Sequence, residues 1–241
     1  MSDVSLTLAG EQVCLMTERA VYWPGTSTLV VADPHWGKAS TFRAAGIPIP
    51  IGTSSDDLAR LDSALRRTGA RRMVVLGDLF HAKAGRVASH TLAELRRWRS
   101  LAGTFEILLV RGNHDRHAGD PPKDLQINCV NAPAFVPPFV FRHEPVEEEG
   151  AYGLAGHVHP AITLVGRGLQ RETLPCFLVG RHRMILPAFG SFTGFGVVQP
   201  APGERTFVVA EDEVLEVTEP VDLRPTAYPT ALHEMSETDR G

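Results

Sequence analysis

Five short groups in this chain could do chemistry: Asp33-Pro34-His35, Gly77-Asp78, Gly112-Asn113-His114-Asp115, His143 and Gly156-His157-Val158-His159. Each offers oxygen or nitrogen donors and none offers a thiolate. That mixture suits borderline-to-hard divalent cations such as manganese, iron or zinc, whereas magnesium and calcium prefer an all-oxygen shell. In extended backbone, residues two apart point the same way, so Asp33 with His35 and His157 with His159 are expected to act as chelating pairs. Two pairs plus two bridging candidates fill two metal sites. Glycine beside the ligands lets the backbone turn tightly. Two cations about 3.5–4 Å apart can share a water, lower its pKa towards neutrality and clamp phosphate oxygens. The chemistry expected is therefore metal-assisted hydrolysis.

Such groups need a frame that brings them together. The apolar run TSTLVVA ends at Asp33, RRMVVL ends at Gly77-Asp78, and FEILLV ends at GNHD, so each group is expected just past a strand. Between them, DDLARLDSALRRTG places Leu58, Leu61 and Leu65 on one helical face, with Thr53, Ser54 and Ser55 as candidate N-caps and Gly69 as terminator. HTLAELRRWRSLAG reads as a further helix. Helices alternating with strands pack outside a sheet and collect reactive groups at its carboxyl edge. From about Cys129 the chain alternates short β-like runs with Gly and Pro turns, and helical signals nearly vanish. One domain over residues 1–220 is expected, followed by an extended or disordered tail at 221–241 that is rich in Pro and Thr.

Composition narrows the class. With 241 residues, 43% hydrophobic and 22% charged, the chain can bury a sizeable core. No apolar run is long enough for a membrane span, and the N-terminus lacks a signal-peptide layout, so a soluble cytoplasmic protein is expected. The formal charge of -4 argues against a broad basic surface that would grip nucleic acid by charge alone, although bound cations would reverse the local sign at a carboxylate-rich site. The three cysteines, Cys14, Cys129 and Cys176, are far apart in apolar runs and read as reduced core residues.

The order DxH, GDxxH, GNHD, H, GHxH resembles that of the calcineurin-like metallophosphoesterases, in register from Asp33 to His159. The resemblance implies a four-layer α-β-β-α sandwich with two sheets face to face and a dinuclear site at one end. It implies that Asp33, His35, Asp78 and His159 hold one metal, that Asp78, Asn113, His143 and His157 hold the other, and that Asp78 bridges them. His114 would stay off the metals, stabilising the transition state or protonating the leaving alkoxide, and His81 would orient it. GDLFH followed by GNHD is more similar to the SbcD-type nuclease branch than to protein phosphatases. The fragment ADPHWGKASTFRAAGIPIP resembles the bacterial ligase-associated phosphoesterases, which implies DNA repair beside an ATP-dependent DNA ligase and a helicase.

Blander readings weigh against several other residues. His90, His117, His182 and His233 are given no role, and the arginines at 66, 67, 71, 72, 96, 97 and 99 read as helix surface. Lys38 and Arg43 could meet phosphate or simply be solvated. Trp36 could stack a base or pack against the sheet edge, and the 188–196 loop with Phe189, Phe192 and Phe195 could line the cleft or merely turn. The sequence reading is a metal-dependent phosphodiesterase or DNA endonuclease using two divalent ions, manganese first, with DNA or another phosphodiester as partner. A phosphatase or small-nucleotide phosphodiesterase is the alternative, and a non-catalytic repair scaffold is disfavoured because every ligand position is filled. A homodimer is one assembly open to it.

Overall fold

The computed structural model describes residues 1–44, 46–47, 53–147, 149–166 and 170–217. Residues 48–52, His233 and the expected tail at 221–241 lie outside these, as do the side chains of Thr53 and Ser54. The first sheet runs in spatial order β1 (Val4–Leu8), β2 (Glu11–Met16), β3 (Ala20–Trp23), β4 (Thr28–Ala32), β5 (Arg72–Leu76), β6 (Glu106–Val110), β7 (Ile127–Val130). The first four strands are antiparallel hairpins. From β4 to β7 the neighbours are parallel, and parallel neighbours need a crossover rather than a tight turn. The crossovers supply α1 (Lys38–Ala44), α2 (Thr53–Thr68), α3 (Lys83–Val87), α4 (Ser89–Leu101) and α5 (Asn113–Ala118).

The second sheet comprises β8 (Ala134–Val136), β9 (Phe139–Phe141), β10 (Tyr152–Ala155), β11 (Pro160–Val165), β12 (Arg171–Val179), β13 (Arg183–Ile185), β14 (Gly196–Val197), β15 (Arg205–Ala210) and β16 (Glu213–Val217). Its order is β14-β11-β12-β13-β10-β9-β8, with β15 joined to β12 and β16 to β15.

Period-two alternation sorts the strand residues into layers. Val30, Ala32, Val74 and Leu76 of the first sheet meet Phe139, Phe141, Leu154, Phe177 and Phe207 of the second in one apolar cluster. Their neighbours Leu29, Val31, Met73 and Val75 face the opposite way and pack against Leu58, Leu61 and Leu65 of α2 and Leu95 and Trp98 of α4. The helical face read from the sequence is therefore the buried one. Fully burying one of these phenylalanines contributes roughly 2–3 kcal/mol. Gly69 ends α2 with φ +61, its amide donating to Leu65 O at 2.9 Å. Ser55 lies inside α2 and donates to Glu94 across to α4 at 2.6 Å, so it joins two helices rather than capping one.

The mixed α/β sandwich of two facing sheets is as expected. Among the described residues the α-helices all fall between Lys38 and Ala118, in the half of the chain that builds the first sheet. The outer face of the second sheet carries Ile162, Cys176, Leu178, Ile185 and Val208, covered by Val158, Leu164, Leu174, Val198 and Val217. Cys176 is buried there, whereas Cys14 and Cys129 are half-buried beside the helical layer, and all three thiols are free. Burial pushes each well above the ordinary thiol range, which makes them inert packing groups.

Candidate metal centre

Each chemistry-bearing group stands at a strand end on one edge of the sandwich. Asp33 follows β4, Asp78 lies just past β5, and Asn113 opens α5 after β6; His143 and His157 lie just past β9 and β10, and His159 immediately precedes β11. The first three come from one sheet and the histidines at 143, 157 and 159 from the other. The main chain joins the sheets here, with Phe189 N donating to Ala32 O at 2.7 Å.

The backbone at these positions is not extended. Asp33, His35, Asp78, His157 and His159 have φ of 51, 47, 51, 70 and 50°, in the left-handed region. Such conformations cost a non-glycine residue about 1–2 kcal/mol each and persist where the surroundings over-determine them. The expected extended backbone is thus corrected: Asp33 and His35 still converge on one site, but the His157–His159 pair does not. His157 and His159 diverge: His159 Nε2 lies 3.3 Å from His35 Nε2, and His157 Nδ1 lies 2.9 Å from His143 Nε2. Left-handed turns send the two rings to opposite halves of the centre.

Glycine serves close approach here more than turning. A Cβ on Gly77 would sit 2.3 Å from the His143 ring, one on Gly112 2.2 Å from Asp78 Oδ1, and one on Gly156 2.5 Å from Asp33 Oδ2. The ring and carboxylate atoms occupy the space a side chain would take.

In one half of the centre, Asp33, His35 and His159 converge, with His159 Nε2 at 3.7 Å from Asp33 Oδ1 and His35 Nε2 at 3.8 Å from Asp78 Oδ2. In the other half, His143 Nε2 lies 2.8 Å from Asn113 Oδ1 and 3.5 Å from Asp78 Oδ1. Asp78 therefore faces both halves. Main-chain carbonyls fix the rings: Leu76 O accepts from His143 Nδ1 at 3.0 Å, and Gly194 O from His159 Nδ1 at 3.2 Å. With those nitrogens as donors, both Nε2 lone pairs point inward. Each meets a nitrogen of another ring, His157 Nδ1 at 2.9 Å and His35 Nε2 at 3.3 Å, so four imidazoles bring nitrogen to the centre in two pairs.

Asp33 Oδ1 is buried and has no hydrogen-bond partner among the described residues. A buried, unpartnered carboxylate oxygen is costly and calls for a cation. Burial, with the negative Asp33 next in importance, pushes Asp78 up to about 8. Burial holds His35 far below the ordinary imidazole range, helped by His159 and Lys38, and His143 is lowered by burial as well. Neutral imidazoles and crowded carboxylates are the ligand forms a divalent cation takes. The residues fit such ions.

Around this set lie Asp115, which the sequence placed in the GNHD group without a role of its own, and the expected pair His114 and His81. Asp115, the third residue of α5, accepts from the amides of Asp78 at 2.7 Å, Leu79 at 3.0 Å and Gly112 at 2.8 Å. The signal was present: an acid three residues after the helix-preceding Gly112 can reach back to its amide. His114 donates from Nδ1 to His81 O at 2.7 Å, and the two rings stack at 5.1 Å with 27° between planes. His114 Nε2 is left 3.9 Å from Asp78 Oδ2. Burial, then the Lys38 and His114 charges, holds the His81 ring down at about 4.

Trp36 is 3% exposed and packs against Trp98 in the helical-side core, so of the two readings weighed for it, packing holds. Phe189 is likewise wholly buried, whereas Phe192 is half-buried and Phe195 exposed. Lys38 Nζ lies 5.9 Å from the Phe192 ring centroid, and Arg43 reaches Ser40. His90, His117 and His182 are exposed and apart from the centre. Arg67 is not merely surface: it grips buried Glu18 at 2.6 Å and also Asp3.

Comparison with known proteins agrees with this geometry. The sequence family described as calcineurin-like phosphoesterase matches residues 26–178. The crystal structure of Pseudomonas putida nuclease MPE is 38% identical, with a TM-score of 0.78, covering 90% of this chain and 100% of that one. Yfce, a phosphoesterase from E. coli, aligns at 12% identity and a TM-score of 0.37, over 79% of this chain and 97% of that one, too distant to support any reading. No curated protein matches.

Proposed function

We propose, from the premise that this chain belongs to the calcineurin-like phosphoesterase family, that it is a nuclease: a metal-dependent phosphodiesterase that cleaves DNA in repair. The observation that carries the metal chemistry is Asp33 Oδ1, buried without a partner among the described residues where His35, His159, Asp78 and His143 converge. The 38% identity to a solved nuclease supports the diester substrate.

Asp33, His35, Asp78 and His159 would hold one divalent ion, and Asp78, Asn113, His143 and His157 the second, with manganese favoured by the carboxylate and imidazole set and iron or zinc also compatible. Bound there, the ions supply an acidified water and a positive clamp on the phosphate oxygens. The chain's own residues then position and protonate. Nδ1–H of His114 is committed to His81 O, so it is the imidazolium form that carries a second proton, on Nε2, to give to the leaving alkoxide. The His81 ring, stacked on that of His114, restrains its rotation. Asp115 holds the Asp78 loop in place through the amides of Asp78 and Leu79, and its own turn through that of Gly112. Lys38 and Arg43 are proposed to meet substrate phosphate. Work in the cytoplasm beside an ATP-dependent DNA ligase and a helicase completes the reading.

The test compares hydrolysis of a bis-aryl phosphate and a mono-aryl phosphate by the manganese-loaded protein, followed by single-stranded and duplex DNA. The diester and DNA should be cleaved. Activity confined to the monoester refutes the nuclease and leaves a phosphatase.

A further inference from the structure

The rings beside the metal centre do not stop at His81. Phe42 lies 6.1 Å from the His81 ring at 31°, and Phe192 lies edge-on to Phe42 at 5.8 Å. Lys38 places its ammonium 5.9 Å from the Phe192 centroid, and its charge is felt by both His35 and His81. The series His114, His81, Phe42, Phe192 thus leads outward from the centre. Both phenylalanines are half-buried, unlike Phe189 in the same loop, which is fully buried in the core.

The loop that carries Phe192 is mounted rigidly on the site. Gly190 N donates to Asp33 O at 3.2 Å, Gly196 N to His159 O at 2.9 Å, and Ser191 N to the buried Asp57 carboxylate at 2.9 Å. Arg60 holds Phe189 O from α2. A Cβ on Gly190 would meet Pro34 O at 2.4 Å and one on Gly196 Val158 O at 2.2 Å, so both ends press on the ligand-bearing turns. Nothing in core packing requires two partly exposed aromatic rings at this place.

We propose that Phe192, braced edge-on by Phe42 and flanked by Lys38, forms a subsite for the nucleotide flanking the scissile phosphate, the Phe192 ring stacking its base and the ammonium meeting its phosphate. A nucleotide presents this pairing of flat π-face and anion. The inference rests on the nuclease reading for its substrate. The formal charge of -4 argues against a broad basic surface, which leaves a role for local stacking. Base stacking on an aromatic side chain is worth about 1–3 kcal/mol per base, roughly five- to 150-fold in affinity.

The experiment uses full-length manganese-loaded protein and fluorescence anisotropy with a labelled, hydrolysis-resistant phosphorothioate oligothymidylate, set against an abasic oligomer of the same length. The oligothymidylate should bind at least about fivefold more tightly. Phe192→Leu should abolish that difference by weakening only the base-bearing ligand, and Phe192→Tyr should restore it. Equal binding of the two oligomers, or equal loss of both in Phe192→Leu, overturns the subsite. The chromogenic diester assay, run in parallel on the unaltered protein, separates the two readings. A discriminating subsite without diester hydrolysis removes the nuclease, and hydrolysis without discrimination removes the subsite.

Discussion

Asp115→Asn tests whether the centre depends on a residue that touches no proposed ligand atom. Asp115 is 2% exposed, and its two oxygens take three main-chain amides: Oδ2 those of Asp78 and Gly112, Oδ1 that of Leu79. An asparagine can keep its carbonyl oxygen at the Oδ2 position, but its amide nitrogen then faces the Leu79 N–H as a second donor. The lost bond to a charged acceptor is worth about 1.5–3 kcal/mol, and the buried amide left unsatisfied adds about 1–3 kcal/mol. The expected destabilisation is thus about 2.5–6 kcal/mol by urea unfolding. Asp78 rides on the same loop, so metal affinity should fall about 10- to 100-fold, the usual effect of removing a supporting hydrogen bond behind a ligand. Denaturation midpoints with and without manganese, together with metal titration monitored by calorimetry, measure both quantities. An unchanged midpoint with unchanged metal affinity would refute the claim that Asp115 builds the bridging position.

His114→Ala should lower kcat for a phosphodiester by at least about 100-fold while metal content stays at the unaltered level, and normal turnover would refute its role as proton donor. His81→Ala should be milder, because the carbonyl that anchors His114 Nδ1 belongs to the main chain and survives the substitution. Gly156→Ala forces a Cβ to 2.5 Å from Asp33 Oδ2 and 2.8 Å from the Ala32 Cβ; a loss of about 1–3 kcal/mol is expected in chemical denaturation, together with weakened metal binding. Manganese at about 100 times its Kd should raise unfolding free energy by about 2.7 kcal/mol over the chelated protein, and a midpoint insensitive to chelator would count against a metal centre.

The ordered groups at successive strand ends were legible because binary patterning marks the strands and side-chain chemistry marks the turns that leave them. Leu58, Leu61 and Leu65 announce a buried helical face, and Gly69 its end, since both signals are local. Lys38 beside Phe192 was not legible, nor was the reach of Asp115 to the amides of Asp78 and Leu79, because these contacts join residues far apart in sequence.

What the sequence by itself determined was the donor inventory: carboxylates, imidazoles and one amide without thiolate, spaced past short apolar runs, which already selects a divalent cation. Which donors share a half of the centre was decided only in three dimensions. His157 and His159 are sequence neighbours that turn to different partners, while Asp33 and His159 meet from opposite sheets. Register between two sheets is set by how their apolar faces pack, and the left-handed turns at Asp33, His35, Asp78, His157 and His159 persist because that packing holds them.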